Sequence, residues 1–300
     1  MKVLCFGSMN LDYVYQVDHI VRLGETENSA GMSVNCGGKG LNQSVALAKA
    51  GVPVWHAGLI GRDGISLIDK CKEYGVNADY IHVTEGRSGH TIIQVDKDGN
   101  NSILLFGGAN RRMTEAFVDE VLSGFGEGDI ILLQNEINLL DVIMDKAYGK
   151  GMQIVLNPSP YNEDLNKCDL GKVAYFLLNE IEGEQMTGEK EPEKILEGIH
   201  RKYPEAKVVL TLGEAGSIFM CGGTICRQGA FKVKAVDTTA AGDTFTGYFI
   251  SSVISGMKPE EGLCLASKAA AMAVTRPGAL DSVPTMEEVQ EFQGKETIIC

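Results

Sequence analysis

Short apolar runs alternate with stretches of helical periodicity along most of the chain. Buried strands are predicted at KVLCFG (2–7), VPVWHAGLIG (52–61), GDIILLQNE (128–136), MQIVLNPSP (152–160), VAYFLLNE (173–180) and AKVVLTLGEAG (206–216). Helices are predicted at GLNQSVALAKAG (40–51), at GISLIDKCKEYG (64–75) and as a long pair from about 243 to 275. Because the strands are apolar throughout and alternate with helices, we expect an α/β fold whose central, mostly parallel sheet carries helices on both faces.

Two regions depart from this alternation, at residues 13–38 and 90–108. Both contain β-rich runs that suggest antiparallel strands, and the second has a turn signal at Asp98-Gly99-Asn100-Asn101. We therefore place strands from about 11–36 and 89–108 in a small sheet inserted in a single domain spanning 1–300. Such a sheet suits a lid over the carboxyl ends of the parallel strands, where α/β proteins bind ligands.

Composition and charge exclude some partners. Asp plus Glu number 40 and Lys plus Arg 27, which gives a formal charge of −13. A field of this sign repels polyphosphate backbones, so we expect no nucleic-acid partner, although local donors can still hold a small anion. Runs of about 20 apolar residues, as membrane helices need, are absent from the sequence, so no membrane partner is expected.

The cysteines and the N-terminal segment predict a cytoplasmic protein. Asp12 and Asp18 follow the first apolar run closely, which is typical of a strand and not of a signal peptide. Eight cysteines are scattered along the chain, and Cys221 and Cys226 lack the spacing and the second ligand pair of a zinc site. We expect reduced thiols.

Polar residues and glycines gather just after the predicted strands and at glycine-rich helix starts. They are Asn10, Asp12, Lys39, Asn42, Glu136, Asn157, Asn179, Glu180, Glu182, Gly213, Gly216 and Asp243. Each alone has a structural explanation as a helix cap, a solvated loop carboxylate or a turn. Their collection at one sheet edge favours a ligand site. Neither a Walker loop nor a G-x-G-x-x-G fingerprint is present, which disfavours a P-loop enzyme and a nicotinamide-dependent oxidoreductase.

The segment DTTAAGDTFTG (237–247) predicts a helix whose first turn is Ala241-Gly242-Asp243. Free N–H groups and the positive end of the helix dipole at such a start bind anions, including a transferring phosphoryl group. Asp243 in the same turn could accept the proton of an attacking hydroxyl. The alternative is that Asp243 only satisfies the helix dipole.

Two long motifs resemble the signatures of the ribokinase-like carbohydrate kinases: GGKGLNQSVALAKAGVPVWHAGLIGRDG (37–64) and DTTAAGDTFTGYFI (237–250). Shorter segments support the resemblance over almost the whole chain, among them FGSMNLD, GGAN (107–110), NEIE (179–182), TLGEAG (211–216) and AVTRPGALDSVP (273–284). The sequence is most similar to the ribokinases themselves. The resemblance implies transfer of the ATP γ-phosphoryl group to a primary sugar hydroxyl, with D-ribose as the sugar.

The resemblance also implies a set of site residues. The base is Asp243, and the anion hole is the backbone of Ala241, Gly242 and Asp243. Sugar contacts fall on Asn10, Asp12, Gly38, Lys39, Asn42, Glu136 and Asp243, and ATP contacts on Asn179, Thr211, Gly213 and Gly216. Glu182 would organise Mg²⁺, in part through water.

The same resemblance implies an activating monovalent cation, K⁺, beside the anion hole. Its ligands would be the Asp237 side chain, the Thr239 carbonyl and groups near Ala273, Arg276, Gly278 and Ser282. The alternative is that Asp237 caps a turn through its own backbone. A homodimer formed through the lid is also implied.

The lid matches the ribokinases less well around His90, Gln94 and Ile103. Another furanose therefore stays open as the substrate: fructose, deoxyribose or a nucleoside. His90 is either a sugar contact or a surface histidine of the lid. A non-catalytic sugar-binding protein is the remaining alternative, which a base beside an anion hole disfavours.

Overall fold

Two separate β-sheets organise the protein in its computed structural model, which describes residues 1–296. The strands are β1 (Val3–Phe6), β2 (Asn10–Gln16), β3 (Gly31–Gly37), β4 (Val54–Ile60), β5 (Asn77–Val83), β6 (Gly89–Val95), β7 (Asn101–Phe106), β8 (Ile130–Gln134), β9 (Gln153–Asn157), β10 (Val173–Asn179), β11 (Lys207–Thr211), β12 (Ser217–Cys221) and β13 (Thr224–Gln228). The helices are α1 (Lys39–Lys49), α2 (Ile65–Glu73), α3 (Glu115–Leu122), α4 (Leu140–Gly149), α5 (Glu180–Thr187), α6 (Pro192–Lys202), α7 (Ala241–Ile254), α8 (Pro259–Ala273) and α9 (Met286–Glu291).

The larger sheet has the strand order β13-β12-β11-β10-β9-β8-β1-β4-β5. The strands from β11 to β5 in this order pair in parallel, and β12 and β13 add an antiparallel edge. The predicted α/β fold with a mostly parallel sheet is therefore confirmed. The order also explains the apolar strands, because a central strand such as β8 is buried along its whole length.

Alternate side chains of each central strand enter different hydrophobic cores. On β1, Val3 and Cys5 join the core formed with α1, α7 and α8, whereas Leu4 and Phe6 join the core formed with α3, α4 and α6. Helices thus cover both faces of the sheet, as predicted.

The smaller sheet has the order β3-β2-β6-β7 and contains the two predicted insertions. The β2–β3 and β6–β7 pairs are antiparallel, as expected, but the central β2–β6 pair is parallel. This difference has a simple cause: β2 follows β1 and β6 follows β5, and β1 and β5 run in the same direction in the main sheet. We call this four-stranded unit the small sheet.

The seven cysteines among residues 1–296 are free thiols, and the predicted thiol at Cys300 lies outside the described residues. None of the helices within residues 1–296 combines the length and apolar character needed to cross a lipid bilayer.

Candidate active site

The N-terminus of α7 lies beside the carboxyl ends of β9, β10 and β11. Ala240 has a left-handed φ of 59°, which is uncommon for a residue with a Cβ, and the chain turns there into the helix. Ala241, Gly242 and Asp243 then form the first turn, as predicted, where backbone N–H groups have no acceptor inside the helix. A Cβ on Gly242 would meet no atom within 4 Å. The Ala241 N–H donates to the Thr238 carbonyl at 3.3 Å, whereas the Gly242 and Asp243 N–H groups have no acceptor among residues 1–296, so they are available to an anion that reaches the open surface at Gly242.

Asp243 is held by two amide side chains from α1. The Nδ2 group of Asn42 donates to Oδ2 at 2.9 Å, and the Nε2 group of Gln43 donates to Oδ1 at 2.8 Å. Only 9% of Asp243 is exposed. The two amides therefore fix the orientation of the carboxylate that would accept a proton.

Close packing between α1 and α7 brings these amides beneath Asp243. A Cβ on Gly247 would lie 2.4 Å from the Cβ of Ala46, so only glycine allows the helices to approach this far. Behind Gln43, the Nε2 group of Gln134 donates to the Gln43 carbonyl oxygen at 2.6 Å. Both glutamines are fully buried. The orientation of Asp243 is thus set by a chain of amides that reaches the centre of the main sheet.

Lys39 and Glu136 lie on the side of Asp243 nearer the small sheet. The backbone N–H of Lys39 donates to Glu136 Oε2 at 3.2 Å, and the Ser8 hydroxyl donates to the same oxygen. Burial raises the pKa of Glu136 above its ordinary value, against the opposing effect of Lys39. Burial opposes the charge of Lys39, but the carboxylates of Asp243 and Glu136 outweigh it and raise the pKa of the amine. The lysine is therefore charged at neutral pH.

Gly38 joins β3 to α1 in a conformation that suits glycine. Its φ is 96°, and a Cβ there would lie 3.0 Å from the backbone nitrogen of Asn10. This close approach lets the start of α1 pack against the start of β2, which brings Lys39 near Asn10. Glycine is thus required at Gly38 by geometry, whatever ligand the site holds.

Asn10 and Asp12 project from the first part of β2. Asn10 is buried, and its Oδ1 accepts from the Asn110 amide at 2.8 Å. Asp12 Oδ1 accepts from the Thr91 hydroxyl at 2.6 Å. Burial raises the pKa of Asp12 to about 6, and the negative charge of Glu136 acts in the same direction. The start of β2 thus presents an amide and a carboxylate close enough to Glu136 to feel its charge, and such donors and acceptors suit a polyol.

Two cavities meet at Ala241 and Gly242. The smaller, of about 250 Å³, contains the carboxylates of Asp243 and Glu182 together with Lys39, Asn157 and Asn179. The larger, of about 620 Å³, is lined by Thr211, Gly213 and Gly216 and by apolar side chains that include Phe231 and Val274. Its volume lies within the usual range for small-molecule sites, and its apolar walls suit the planar ring of a nucleobase.

Gly216 has a structural reason to be glycine. Its φ is 102°, and a Cβ would lie 2.1 Å from the carbonyl oxygen of Gln228. Gly213 also adopts a positive φ, of 54°. The loop after β11 thus follows the larger cavity closely, where a side chain on Gly216 would not fit.

Asn179 and Glu182 form a capping box at the start of α5. The Asn179 side chain accepts from the Glu182 N–H at 2.9 Å, and Glu182 Oε2 accepts from the Asn179 N–H at 3.0 Å. This structural role does not use all the oxygen lone pairs of Glu182. Glu182 is buried and shares the smaller cavity with Asp243, so its carboxylate fits the oxygen-rich surroundings that Mg²⁺ prefers.

The Asp237 carboxylate is hydrogen-bonded to both of the loops that were predicted to surround a cation. Its Oδ1 accepts from the Thr239 N–H and its Oδ2 from the Gly278 N–H, both at 2.9 Å. Burial opposes ionisation, but these hydrogen bonds outweigh it and lower the pKa of Asp237. The turn-capping role considered for Asp237 is therefore present. The carboxylate retains lone pairs for a cation, so this donor set is compatible with K⁺.

The other predicted cation ligands differ in their surroundings. The Ala273 carbonyl accepts from the Arg276 N–H at 3.0 Å. The Arg276 guanidinium pairs with Glu288 at 2.7 Å, and the Ser282 hydroxyl donates to the Ala279 carbonyl at 2.8 Å. The Arg276 side chain is therefore engaged in an ion pair and offers a cation only its backbone carbonyl, whereas the Ser282 hydroxyl oxygen and carbonyl both retain lone pairs.

His90 projects from the face of the small sheet opposite Thr91, because neighbouring residues on a strand alternate. It is half-buried and packs against the rings of Tyr13 and Phe106, with ring centroids 5.9 and 4.9 Å away. This placement favours the surface role over the sugar contact.

Sequence reasoning did not identify several polar residues of this site. They are Ser8, Gln43, Thr91, Asn110 and Gln134. Gln43 and Gln134 carried a usable signal, because each interrupts an apolar strand or the apolar face of a helix. A buried polar side chain needs a partner, so such positions deserve inspection as parts of a site.

Known proteins resemble this chain over nearly its whole length. A sequence model of the pfkB family of carbohydrate kinases matches residues 1–286. The ribokinase of Haemophilus influenzae is 34% identical, over 95% of this chain and 96% of its own. The deoxyribokinase of Salmonella typhi is 30% identical, over 97% and 98%.

Solved structures agree with the sequence match. A ribokinase of Arabidopsis thaliana, solved with ribose and ATP, superposes with a TM-score of 0.86 at 28% identity, covering 97% of this chain and 99% of that one. The similarity thus includes both sheets and the sequence that forms the site. This chain therefore belongs to the pfkB family of carbohydrate kinases.

Proposed function

We propose that the protein is an ATP-dependent ribose kinase that transfers the γ-phosphoryl group to the primary hydroxyl of D-ribose. One observation carries the proposal: two amides of α1 orient Asp243, which lies in the first turn of α7, where the Gly242 and Asp243 N–H groups have no acceptor among residues 1–296. A base beside an anion hole is what phosphoryl transfer to a hydroxyl requires. The identity of the sugar and of the nucleotide is inferred from the relatives: one is the Haemophilus influenzae ribokinase, and the Arabidopsis thaliana ribokinase was solved with ribose and ATP.

The reaction uses the groups in the following way. The sugar hydroxyl oxygen attacks the γ-phosphorus, and its proton passes to Asp243. The bond between the γ-phosphorus and the β–γ bridging oxygen breaks, and ADP leaves. Negative charge on the transferring group is stabilised by the N–H groups of Ala241, Gly242 and Asp243. Lys39, which lines the same cavity as Asp243, adds positive charge nearby.

The sugar would occupy the region between Asp243 and the small sheet. Asp12, Glu136 and Asp243 offer acceptors for its hydroxyls, whereas Lys39, Asn10 and Asn42 offer donors, and Gly38 leaves room for the sugar. The nucleotide would occupy the larger cavity, bordered by Thr211, Gly213 and Gly216, with Asn179 near the phosphates. The 30% identical deoxyribokinase makes deoxyribose the second candidate sugar.

Two metal ions complete the proposal. Mg²⁺, held near Glu182 in part through water, would neutralise phosphate charge. K⁺ would be held by the Asp237 carboxylate, the Thr239 carbonyl and backbone carbonyls near Ala273, Arg276, Gly278 and Ser282. Because Asp237 already joins the two loops, a cation there would stiffen the segment that leads into the anion hole.

The outer face of the small sheet supports a homodimer. Large apolar side chains are exposed there on three strands: Met32 and Val34 on β3, Ile92 on β6, and Leu104 and Phe106 on β7. A patch of this extent suits a second copy of the same sheet. Sedimentation should give a dimer for the wild type and a monomer for Leu104→Lys, because Leu104 pairs with Ile92 on the outer face. A wild-type monomer at high concentration would contradict the proposed homodimer.

We also propose a cytoplasmic location, because the described cysteines are free thiols.

ADP release measured against a panel of sugars tests the proposed activity. The panel should contain D-ribose, 2-deoxyribose, fructose and a nucleoside, each with ATP, Mg²⁺ and K⁺. We expect the highest kcat/KM with D-ribose. Higher values with another sugar would move the assignment to that sugar. ADP release with none of them, by folded protein, would support the non-catalytic alternative.

A further inference from the structure

Asp12 is confined from two sides within the small sheet. Thr91 is its register partner across the parallel β2–β6 pair, and the Thr91 hydroxyl donates to Asp12 Oδ1 at 2.6 Å. On the other side, a Cβ on Gly37 would lie only 2.1 Å from Asp12 Oδ2. The carboxylate therefore has a hydroxyl donor at one oxygen and a space that only glycine provides at the other.

The Thr91 hydroxyl lies on the buried face of the small sheet. Thr91 is 8% exposed, whereas its neighbour Ile92 is 40% exposed. Since side chains alternate along a strand, Thr91 and its register partner Asp12 share the face that turns towards the main sheet. A buried hydroxyl satisfied by a carboxylate could serve only its own hydrogen-bonding needs, and the experiment below separates that role from a functional one.

The surroundings of Asp12 oppose its ionisation, so the hydrogen bond from Thr91 affects the charge of this carboxyl group. Burial and the Glu136 carboxylate, which approaches from the loop after β8, both oppose ionisation of Asp12. The Asp12 charge acts on the thiol of Cys36 on β3, and Lys39 at the start of α1 interacts with the carboxylates of Asp243 and Glu136. Among these described neighbours, Thr91 contributes the hydrogen bond that favours the charged carboxylate.

We propose that Thr91 is a positioning residue for sugar recognition: its hydroxyl holds Asp12 in the orientation and the charged form that accept a sugar hydroxyl. This inference rests on the proposed function, since it takes Asp12 as a sugar ligand. Strand β6 would thus contribute to sugar selection through Asp12, without a direct contact between Thr91 and the sugar.

Thr91→Val tests the inference, because valine keeps the branched shape and removes the hydroxyl. Thr91→Ser is the matched control, since serine retains the donor. We expect Thr91→Val to raise the KM for ribose roughly tenfold, as for a lost hydrogen bond to a charged group, with kcat and the KM for ATP unchanged. The acid limb of kcat/KM should move to higher pH in Thr91→Val and stay in place in Thr91→Ser.

Two outcomes would overturn the inference. One is a Thr91→Val enzyme with the wild-type KM for ribose and the wild-type acid limb. The other is an equal defect in Thr91→Ser, because shape and packing would then matter and the hydroxyl would not. Thr91→Ala provides a second variant without the hydroxyl should the valine variant fail to fold.

A measurement without catalysis separates this inference from the proposed function. The carboxyl absorption of Asp12 can be titrated by infrared difference spectroscopy, with Asp12→Asn as the reference that identifies the band. We expect protonation of Asp12 at higher pH in Thr91→Val than in the wild type. Unchanged titration would contradict the inference even in an active ribose kinase, whereas an inactive wild type would contradict only the proposed function.

Discussion

The Gln43 side-chain amide donates to Asp243 Oδ1 at 2.8 Å and accepts from Gln134 at 2.6 Å. The direction of this chain is fixed, because a reversed Gln43 amide would place its carbonyl oxygen against a carboxylate. Two residues far apart in sequence therefore set the orientation of the proposed base.

Replacement of Gln43 tests this relationship. Gln43→Leu should lower kcat by about 10- to 100-fold, because Asp243 loses a donor and Gln134 loses its acceptor. The KM for ribose should change less. Ser44→Ala is the control, since Ser44 is the next residue on α1 but bonds to His56 and not to Asp243. Steady-state kinetics with wild-type kcat in Gln43→Leu would contradict the relationship.

Gly247 tests the helix contact beneath the base. Gly247→Ala places a Cβ within 2.8 Å of the Ala46 and Leu47 backbone, which must push α1 away from α7. We expect a loss of about 1–3 kcal/mol in the free energy of unfolding, together with a lower kcat. Gly149→Ala is the matched control, because its Cβ would meet no atom within 4 Å. Denaturant unfolding that ranks the two variants equally would contradict the packing account.

Asp12 should lower the stability of the fold at neutral pH. Burial raises its pKa from 3.8 to about 6, so the folded state holds its proton more tightly than the unfolded state does. The cost of ionisation therefore develops as pH rises through this interval and is complete above about pH 6.

Asp12→Asn should remove that cost. We expect the variant to be more stable than the wild type at pH 8, by up to about 3 kcal/mol, and no more stable below pH 4. Ribose binding should weaken at the same time. Unfolding experiments at the two pH values check the prediction, and a variant less stable than the wild type at pH 8 would contradict it.

The cation proposal predicts a difference between K⁺ and Na⁺. The wild-type rate should be higher in K⁺, and Asp237→Ala should abolish the difference by removing the carboxylate that joins the two loops. Asp281→Ala is the control, since this nearby exposed carboxylate accepts from Tyr74 instead. Equal wild-type rates in both salts, with a neutral Asp237→Ala, would remove the cation from the account.

Much of the main sheet and the helices α1, α2, α7 and α8 were predictable because their signals are local, whereas β5, β12, β13 and the helices from α3 to α6 were not predicted. Apolar runs such as Ile130–Gln134 and the glycine after α1 each specify an element within a few residues. The parallel β2–β6 pairing was not predictable in this way. A local turn signal predicts that β6 pairs with β7. The pairing of β2 with β6 depends instead on the preceding strands β1 and β5, which lie in the main sheet and are far apart in sequence.

The proposed base and its partner Asn42 could be located from sequence, whereas the roles of Gln43 and Gln134 could not. Asp243 follows a glycine at a predicted helix start, and that pattern has a chemical meaning by itself. Gln43 and Gln134 gain their roles only when α1 and β8 pack beside α7. Asn179 and Glu182 form the helix cap that the sequence analysis gave as their structural alternative, and this cap leaves Glu182 lone pairs for the proposed Mg²⁺.

The most direct test of the account is a single-turnover measurement with Asp243→Asn. The variant keeps the size of the side chain and removes the base. We predict ribose binding within a few-fold of the wild type by calorimetry, and phosphoryl transfer slower by about 10²- to 10⁴-fold, as expected for loss of a general base. Transfer at the wild-type rate would contradict the assignment of Asp243, and with it the central claim that this helix start is the catalytic centre.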